Sequence, residues 1–417
     1  MAVNLEPPNQ LLTVPGVRVG VANANIKHAL SCADDTQVSD SGDDRCDMAL
    51  FLFDSDTVVG GVYTQSHFAA APVQLARSRH SGARGWLINS GNANAATGEP
   101  GYQDAIALCN SVAQACDLQA DSVLPFSTGV IGERLPVAAM EQGVVECVAT
   151  LDNQGWLAGA KAIMTTDTQP KGVSHQVDID GHPVTLTGIA KGSGMIKPNM
   201  ATMLAFVACD AQVSEAVAQA LVSHSVARSF NRITVDGDTS TNDSFMLACT
   251  GKAGHNCIET PQGAPYEALL DAVCKVAQEL AQLLVRDGEG ATKFVTVDVR
   301  GARTEGDALS VAYTIAESPL VKTALFAGDA NWGRLCMAIG RAPAEVDPDR
   351  VAVWLDDVQV AANGLMADSY SEAAGAAVLA QDEFSISVDL GLGSELATVW
   401  TTDLSHEYVR INAEYRT

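Results

Sequence analysis

Apolar runs at 49–53, 58–63 and 86–89, each bounded by Asp, Gly or Ser, predict three short buried strands. Beyond the asparagine-rich stretch that follows, the period changes. Ile106, Cys109, Val112, Ala113 and Cys116 recur at intervals of three and four, which predicts an amphipathic helix over 104–117. Leu269, Val273, Val276, Leu280 and Leu283 do the same over about 266–286, and Asp287-Gly288 supplies a stop, with glycine expected in the left-handed backbone of a helix C-terminus. From Lys293 the period falls to two, as Val295, Val297 and Val299 alternate with Thr296, Asp298 and Arg300, so a strand begins there. The run 203–208 is apolar without interruption and predicts a buried strand carrying Thr202 at its first position. Strands and helices interleave along the whole chain, which gives a layered α/β or α+β protein.

At 417 residues the chain exceeds the roughly 250–300 at which one core stops growing, so two lobes are expected. No low-complexity linker divides them. A formal charge of −25 and a pI near 4.5 argue against a nucleic-acid partner, which would need a basic surface. Ten cysteines are scattered without a CxxC pair, and several sit in apolar runs, so they are expected as buried reduced thiols rather than metal ligands. The first residues carry neither the basic nor the apolar segment of a secretory signal, and no apolar run approaches a membrane span of roughly 18 residues. A cytoplasmic protein without membrane contact is the expectation.

Chemistry concentrates in 191–204, Lys-Gly-Ser-Gly-Met-Ile-Lys-Pro-Asn-Met-Ala-Thr-Met-Leu. If the Ala201–Thr202 bond breaks, Thr202 gains a free α-amine beside its own hydroxyl, which unites nucleophile and base in one residue. The products, 1–201 and 202–417, are nearly equal, so both are expected to stay in one intertwined globular unit. An oxyanion formed at Thr202 needs donors about 3 Å away, and Thr128-Gly129 offers a hydroxyl and a glycine N–H in one turn. Alone, Ser-Thr-Gly is also the composition of an ordinary structural turn. Asp236-Gly237-Asp238 fails as a calcium loop, because Thr241 and Leu247 stand where glycine and glutamate belong. Gly192-Ser193-Gly194 fails as a dinucleotide fingerprint, with Lys197 at the third glycine's place. No metal and no cofactor are expected.

Several separated motifs agree with one family. Asn89-Ser90-Gly91-Asn92-Ala93-Asn94-Ala95-Ala96-Thr97-Gly98, Ser127-Thr128-Gly129-Val130-Ile131-Gly132 and Ile163-Met164-Thr165-Thr166-Asp167-Thr168 come before the 191–204 segment. Val235-Asp236-Gly237-Asp238-Thr239-Ser240-Thr241-Asn242-Asp243, Asp287-Gly288-Glu289-Gly290-Ala291-Thr292-Lys293, Gly328-Asp329-Ala330-Asn331-Trp332-Gly333-Arg334 and the terminus Asn412-Ala413-Glu414-Tyr415-Arg416-Thr417 follow it. Together they resemble the ornithine acetyltransferase (glutamate N-acetyltransferase) family of arginine biosynthesis over nearly the whole chain, with Ala96 in place of a usual cysteine. The resemblance implies an α-β-β-α sandwich of the kind shared with DmpA-type N-terminal nucleophile aminopeptidases, and self-cleaved protomers assembled as α2β2. It maps the oxyanion hole onto Thr128 and Gly129, and substrate contacts onto Thr165, Lys191, Thr202, Glu289, Asn412 and Thr417. The implied reaction is ping-pong: N-acetylornithine acetylates Thr202, ornithine leaves, and glutamate takes the acetyl group. A bifunctional member also uses acetyl-CoA. The alternatives are an amidase or aminopeptidase of the same fold, with water as acceptor, and a binding protein that never cleaves itself.

Overall fold

The computed structural model describes residues 2–27, 45–197 and 203–414. Ala201, Thr202 and Thr417 lie outside the described residues. In chain order the strands are β1 (Val17–Ala22), β2 (Met48–Phe53), β3 (Val58–Tyr63), β4 (Gly85–Asn89), β5 (Val123–Ser127), β6 (Lys171–Ile179), β7 (His182–Lys191), β8 (Leu204–Cys209) and β9 (Ser244–Cys249). After them come β10 (Phe294–Ala302), β11 (Ala352–Leu355), β12 (Val358–Ala362), β13 (Leu365–Met366), β14 (Glu383–Asp389) and β15 (Glu395–Thr402). They form three sheets, ordered β1-β2-β4-β5, β3-β9-β8-β7-β6 and β13-β12-β11-β14-β10-β15.

The first two sheets stack face to face with helices outside both, so the expected α-β-β-α sandwich is what the chain forms. Alternation along β8 makes the layers visible: Leu204, Phe206 and Ala208 pack with Phe51, Trp86 and Phe126 of the first sheet, whereas Ala205 and Val207 pack with Leu221, Val273 and Leu280 of the outer helices. A strand buried on both faces has no polar position to give up, hence the continuous apolar run. On the far side of the first sheet, Met48, Leu50 and Leu87 meet Leu108, Val112, Met140 and Val144 of the Gly98–Cys116 and Val137–Ala149 helices.

The third sheet has its own core, in which Val297, Val353, Ile386 and Val399 pack with Val311 and Ile315 of the Glu305–Ala316 helix. Of this sheet only the first strand, β10, was legible in the sequence. The central sheet mixes both sides of residue 201: β3, β6 and β7 come before it, β8 and β9 after it. β7 and β8 are neighbours, with Lys191 opposite Leu204.

Three local expectations shift. The helix expected from 104 begins at Gly98, because its first turn carries no apolar period. Gly288 does not take the left-handed backbone; Gly290 does, at φ 69°. Space at Gly288 is tight instead, since a Cβ there would lie 3.1 Å from the Val285 carbonyl oxygen and 3.3 Å from Val235. The strand after the proposed cut starts at Leu204, two residues beyond Thr202.

Candidate active site

The ends of β5, β7 and β8, the turn before β9, the turn after the Ala264–Arg286 helix and the final helix, His406–Ala413, surround one cavity of about 310 Å³. Thr128, Gly129, Thr165, Lys191, Glu289 and Asn412, all singled out in the sequence, line it. So do Met203 and Leu204, which directly follow Thr202.

The Thr128-Gly129 turn is held by backbone. Thr128 N–H donates to the Asn89 carbonyl at 3.0 Å and Val130 N–H to that of Gly91 at 3.2 Å. Gly129 sits at φ 134°, and a Cβ there would lie 2.2 Å from the Gly91 carbonyl carbon, so only glycine fits. Lys191, at the end of β7 and 9% exposed, donates from Nζ to Thr128 Oγ1 at 3.0 Å. The threonine hydroxyl accepts that bond and keeps its own proton to give to an oxygen in the cavity. Burial pulls the Lys191 ammonium below the usual lysine range, with Lys171 adding to the effect while Asp167, Asp243 and Glu289 oppose it.

Glu289 lines the same cavity, and its Oε2 accepts from Asn412 Nδ2 at 2.8 Å. Gly194 makes room for it, because a Cβ there would meet the Glu289 carboxyl carbon at 2.4 Å. The 192–197 loop is tied down along its length: Glu289 N–H donates to the Ser193 carbonyl at 2.8 Å, Thr166 Oγ1 bonds Ser193 Oγ at 2.7 Å, and Asp236 accepts from the N–H groups of Met195 at 2.6 Å and Ile196 at 2.8 Å.

Two carboxylates that sequence reasoning left out organise this geometry. Asp167 is buried behind the cavity, where it accepts from Thr165 N–H at 2.9 Å, Gly192 N–H at 2.7 Å and Lys171 Nζ at 2.6 Å. Lys171 also reaches Asp287 at 2.6 Å, and Asp287 in turn holds Thr168. Burial favours the neutral form of Asp167, yet the Lys171 and Lys191 charges and the Gly192 N–H outweigh it and hold the carboxyl below its usual range. Asp243, in the turn before β9, lines the cavity itself. Both lie inside motifs that the sequence displays, but nothing in a motif distinguishes a buried carboxylate from a solvated loop residue.

The ArgJ family model matches residues 35–417. The chain belongs to the ArgJ family. It is 48% identical over 419 residues, spanning 100% of both chains, to the arginine biosynthesis bifunctional protein ArgJ of Pseudomonas syringae pv. tomato. Among solved structures, the arginine biosynthesis bifunctional protein argJ of Bacillus halodurans is 38% identical and covers 50% of this chain and 97% of its own, with a TM-score of 0.48. The ornithine acetyltransferase of Mycobacterium tuberculosis, in complex with ornithine, is 31% identical and covers 46% of this ArgJ-family chain and 95% of its own, with a TM-score of 0.38. No helix among the described residues is long and apolar enough to cross a membrane.

Proposed function

We propose that this ArgJ-family enzyme moves the acetyl group of N2-acetyl-L-ornithine to L-glutamate through an acetyl ester on Thr202. Acetyl transfer in arginine biosynthesis comes with family membership; the route and the residue roles are our reading. The observation that carries them is the convergence of Thr128, Gly129, Thr165, Lys191, Glu289 and Asn412 on one cavity at the start of β8. About 310 Å³ lies at the small end of ligand pockets and suits an amino-acid derivative.

The chain first cuts itself between Ala201 and Thr202: the Thr202 hydroxyl attacks the Ala201 carbonyl, the acyl group shifts from nitrogen to oxygen, and water hydrolyses the ester. The α-amine so released takes the proton from Thr202 Oγ as it attacks the acetyl carbonyl of the donor. The Thr128 hydroxyl and the Gly129 N–H receive the oxyanion in both reactions. Glu289 attracts ornithine's side-chain ammonium, Lys191 attracts the substrate α-carboxylate, and Thr165, Asn412 and Thr417 complete the pocket. Acetyl-CoA serves as a second donor for glutamate, in keeping with the bifunctional name of the relatives. Paired β7 and β8 would hold the two pieces together after the cut, and two such cleaved protomers make up the cytoplasmic α2β2 enzyme.

Intact-mass measurement of the purified protein, before and after N-acetylornithine, tests the reading. Two chains, the second beginning at Thr202 and gaining one acetyl group that glutamate removes as N-acetylglutamate, are expected. An active, uncleaved chain would sink the self-processing step. Free acetate accounting for all the donor consumed would make the enzyme an amidase instead.

A further inference from the structure

Asp243 lines the same cavity and is only 2% exposed. Among the described residues its Oδ2 has no hydrogen-bond partner. A buried, half-satisfied carboxyl is costly, and a protein holds one where the group is needed. Its position follows from strand register: Ser244 pairs with Leu204, and Ser244 N–H donates to the Met203 carbonyl at 2.8 Å. Asp243 therefore stands level with Met203, the residue after Thr202 in sequence. The groups favouring its charged form are Ser240 of its own turn and Lys191 of β7, while Glu289 lines the cavity as well. Burial outweighs them and pushes the carboxyl well above its usual range.

The proposed transfer leaves one proton without a carrier. Thr202's amine shuttles a proton between Oγ and the reacting nitrogen, but glutamate enters as an ammonium and must lose a further proton before it can attack. Resting on the acetyl-Thr202 reading, we infer that Asp243 is a catalytic acid–base that gives a proton to the departing ornithine amine and takes one from the arriving glutamate ammonium. In the donor half, the amide C–N bond breaks as the ester C–O bond forms. The Thr202 Oγ proton reaches the leaving nitrogen through the α-amine, and Asp243 adds the second proton, so ornithine departs as an ammonium. In the acceptor half, the Asp243 carboxylate removes the first proton, the free amine attacks, and the ester C–O bond breaks as the new C–N bond forms. The second proton returns to Thr202 Oγ. Asp243 ends each cycle protonated, as it began.

The test is discharge of the acetyl-enzyme by two acceptors: glutamate, which must be deprotonated, and methoxyamine, whose nitrogen is already neutral near pH 7. Asp243→Asn should slow transfer to glutamate on the order of a hundredfold while transfer to methoxyamine stays within about threefold of wild type. Equal losses for the two acceptors, or none, would overturn the role. Should the variant fail to fold or cleave, wild-type enzyme decides the matter. Discharge by glutamate then rises with pH and levels off well below the pKa of glutamate's own amine, and methoxyamine shows no such rise. A rise continuing up to that amine's pKa would equally overturn the assignment. Absence of any acetyl ester on wild-type Thr202 would count against the underlying route instead, leaving the two failures distinct.

Discussion

The residues that line the cavity fall into two groups built in opposite ways. On the one hand, Thr128 and Gly129 are consecutive, the backbone of their turn is tied to Asn89 by Thr128 N–H and to Gly91 by Val130 N–H, and Lys191 reaches the Thr128 hydroxyl from β7 of the central sheet. On the other, Thr165, Glu289 and Asn412 come from three parts of the chain and share no backbone. An oxyanion donor must be fixed before charge develops, since reorganising it during the reaction would forfeit the stabilisation. A group that receives two different amino acids in turn gains from side chains that re-form their bonds. What gives this second group its fixed points is the buried Asp167–Lys171–Asp287 cluster, which holds Thr165 N–H and Gly192 N–H on one carboxylate and leads through Asp287 to Glu289.

The largest test of that contrast removes the cluster's cation. The side chains of Lys171, Asp167 and Asp287 are at most 1% exposed. Lys171→Met removes the cation that two buried carboxylates share and should destabilise the fold by about 3–5 kcal/mol. Arg300→Met, which breaks a pair exposed at 59% and 36%, should lose under about 1 kcal/mol. Urea unfolding of both variants measures the difference. Equal losses would mean that the cluster is no firmer a base for its group than a surface pair.

Thr128→Ala probes the other group. It deletes a hydroxyl but keeps the turn's backbone bonds, so folding should be near normal. Self-cleavage and turnover should both fall, turnover on the order of a hundredfold, about 2.7 kcal/mol. Cleavage and steady-state rate are read from one preparation. If cleavage slows and turnover does not, the two reactions use different donors.

The same contrast decides what the sequence could reveal. The turn is a contiguous motif, so Thr128 and Gly129 were legible as a pair, and β2, β3, β4, β8 and the two longest helices of the sandwich followed from their apolar patterns. Of the third sheet only β10 was legible, although β14 carries the same alternation, with Phe384, Ile386 and Val388 buried between half-exposed Ser385 and Ser387. Asp167 and Asp243 were in view within quoted motifs, but their chemistry depends on burial, and burial comes from strands far away in sequence. Nothing around Gly194 in sequence points to the Glu289 carboxyl that a Cβ there would meet, 95 positions on by residue number.

The smallest effect belongs to the most exposed contact. Asn412 sits on the final helix and gives Glu289 a single 2.8 Å hydrogen bond, with its other bond returning to the Tyr408 carbonyl at 3.0 Å. Asn412→Ala leaves Glu289 held in place through its backbone bond to Ser193. One hydrogen bond at an accessible position contributes about 0.5–1.5 kcal/mol, so KM for N-acetylornithine should rise about two- to tenfold while kcat holds. That split is the informative part. An interaction made equally in the bound substrate and the transition state moves KM alone, as expected of residues that recognise. A fall in kcat of the size expected for Thr128→Ala would place Asn412 among the residues that act on the developing charge, and the division between the two groups would be lost.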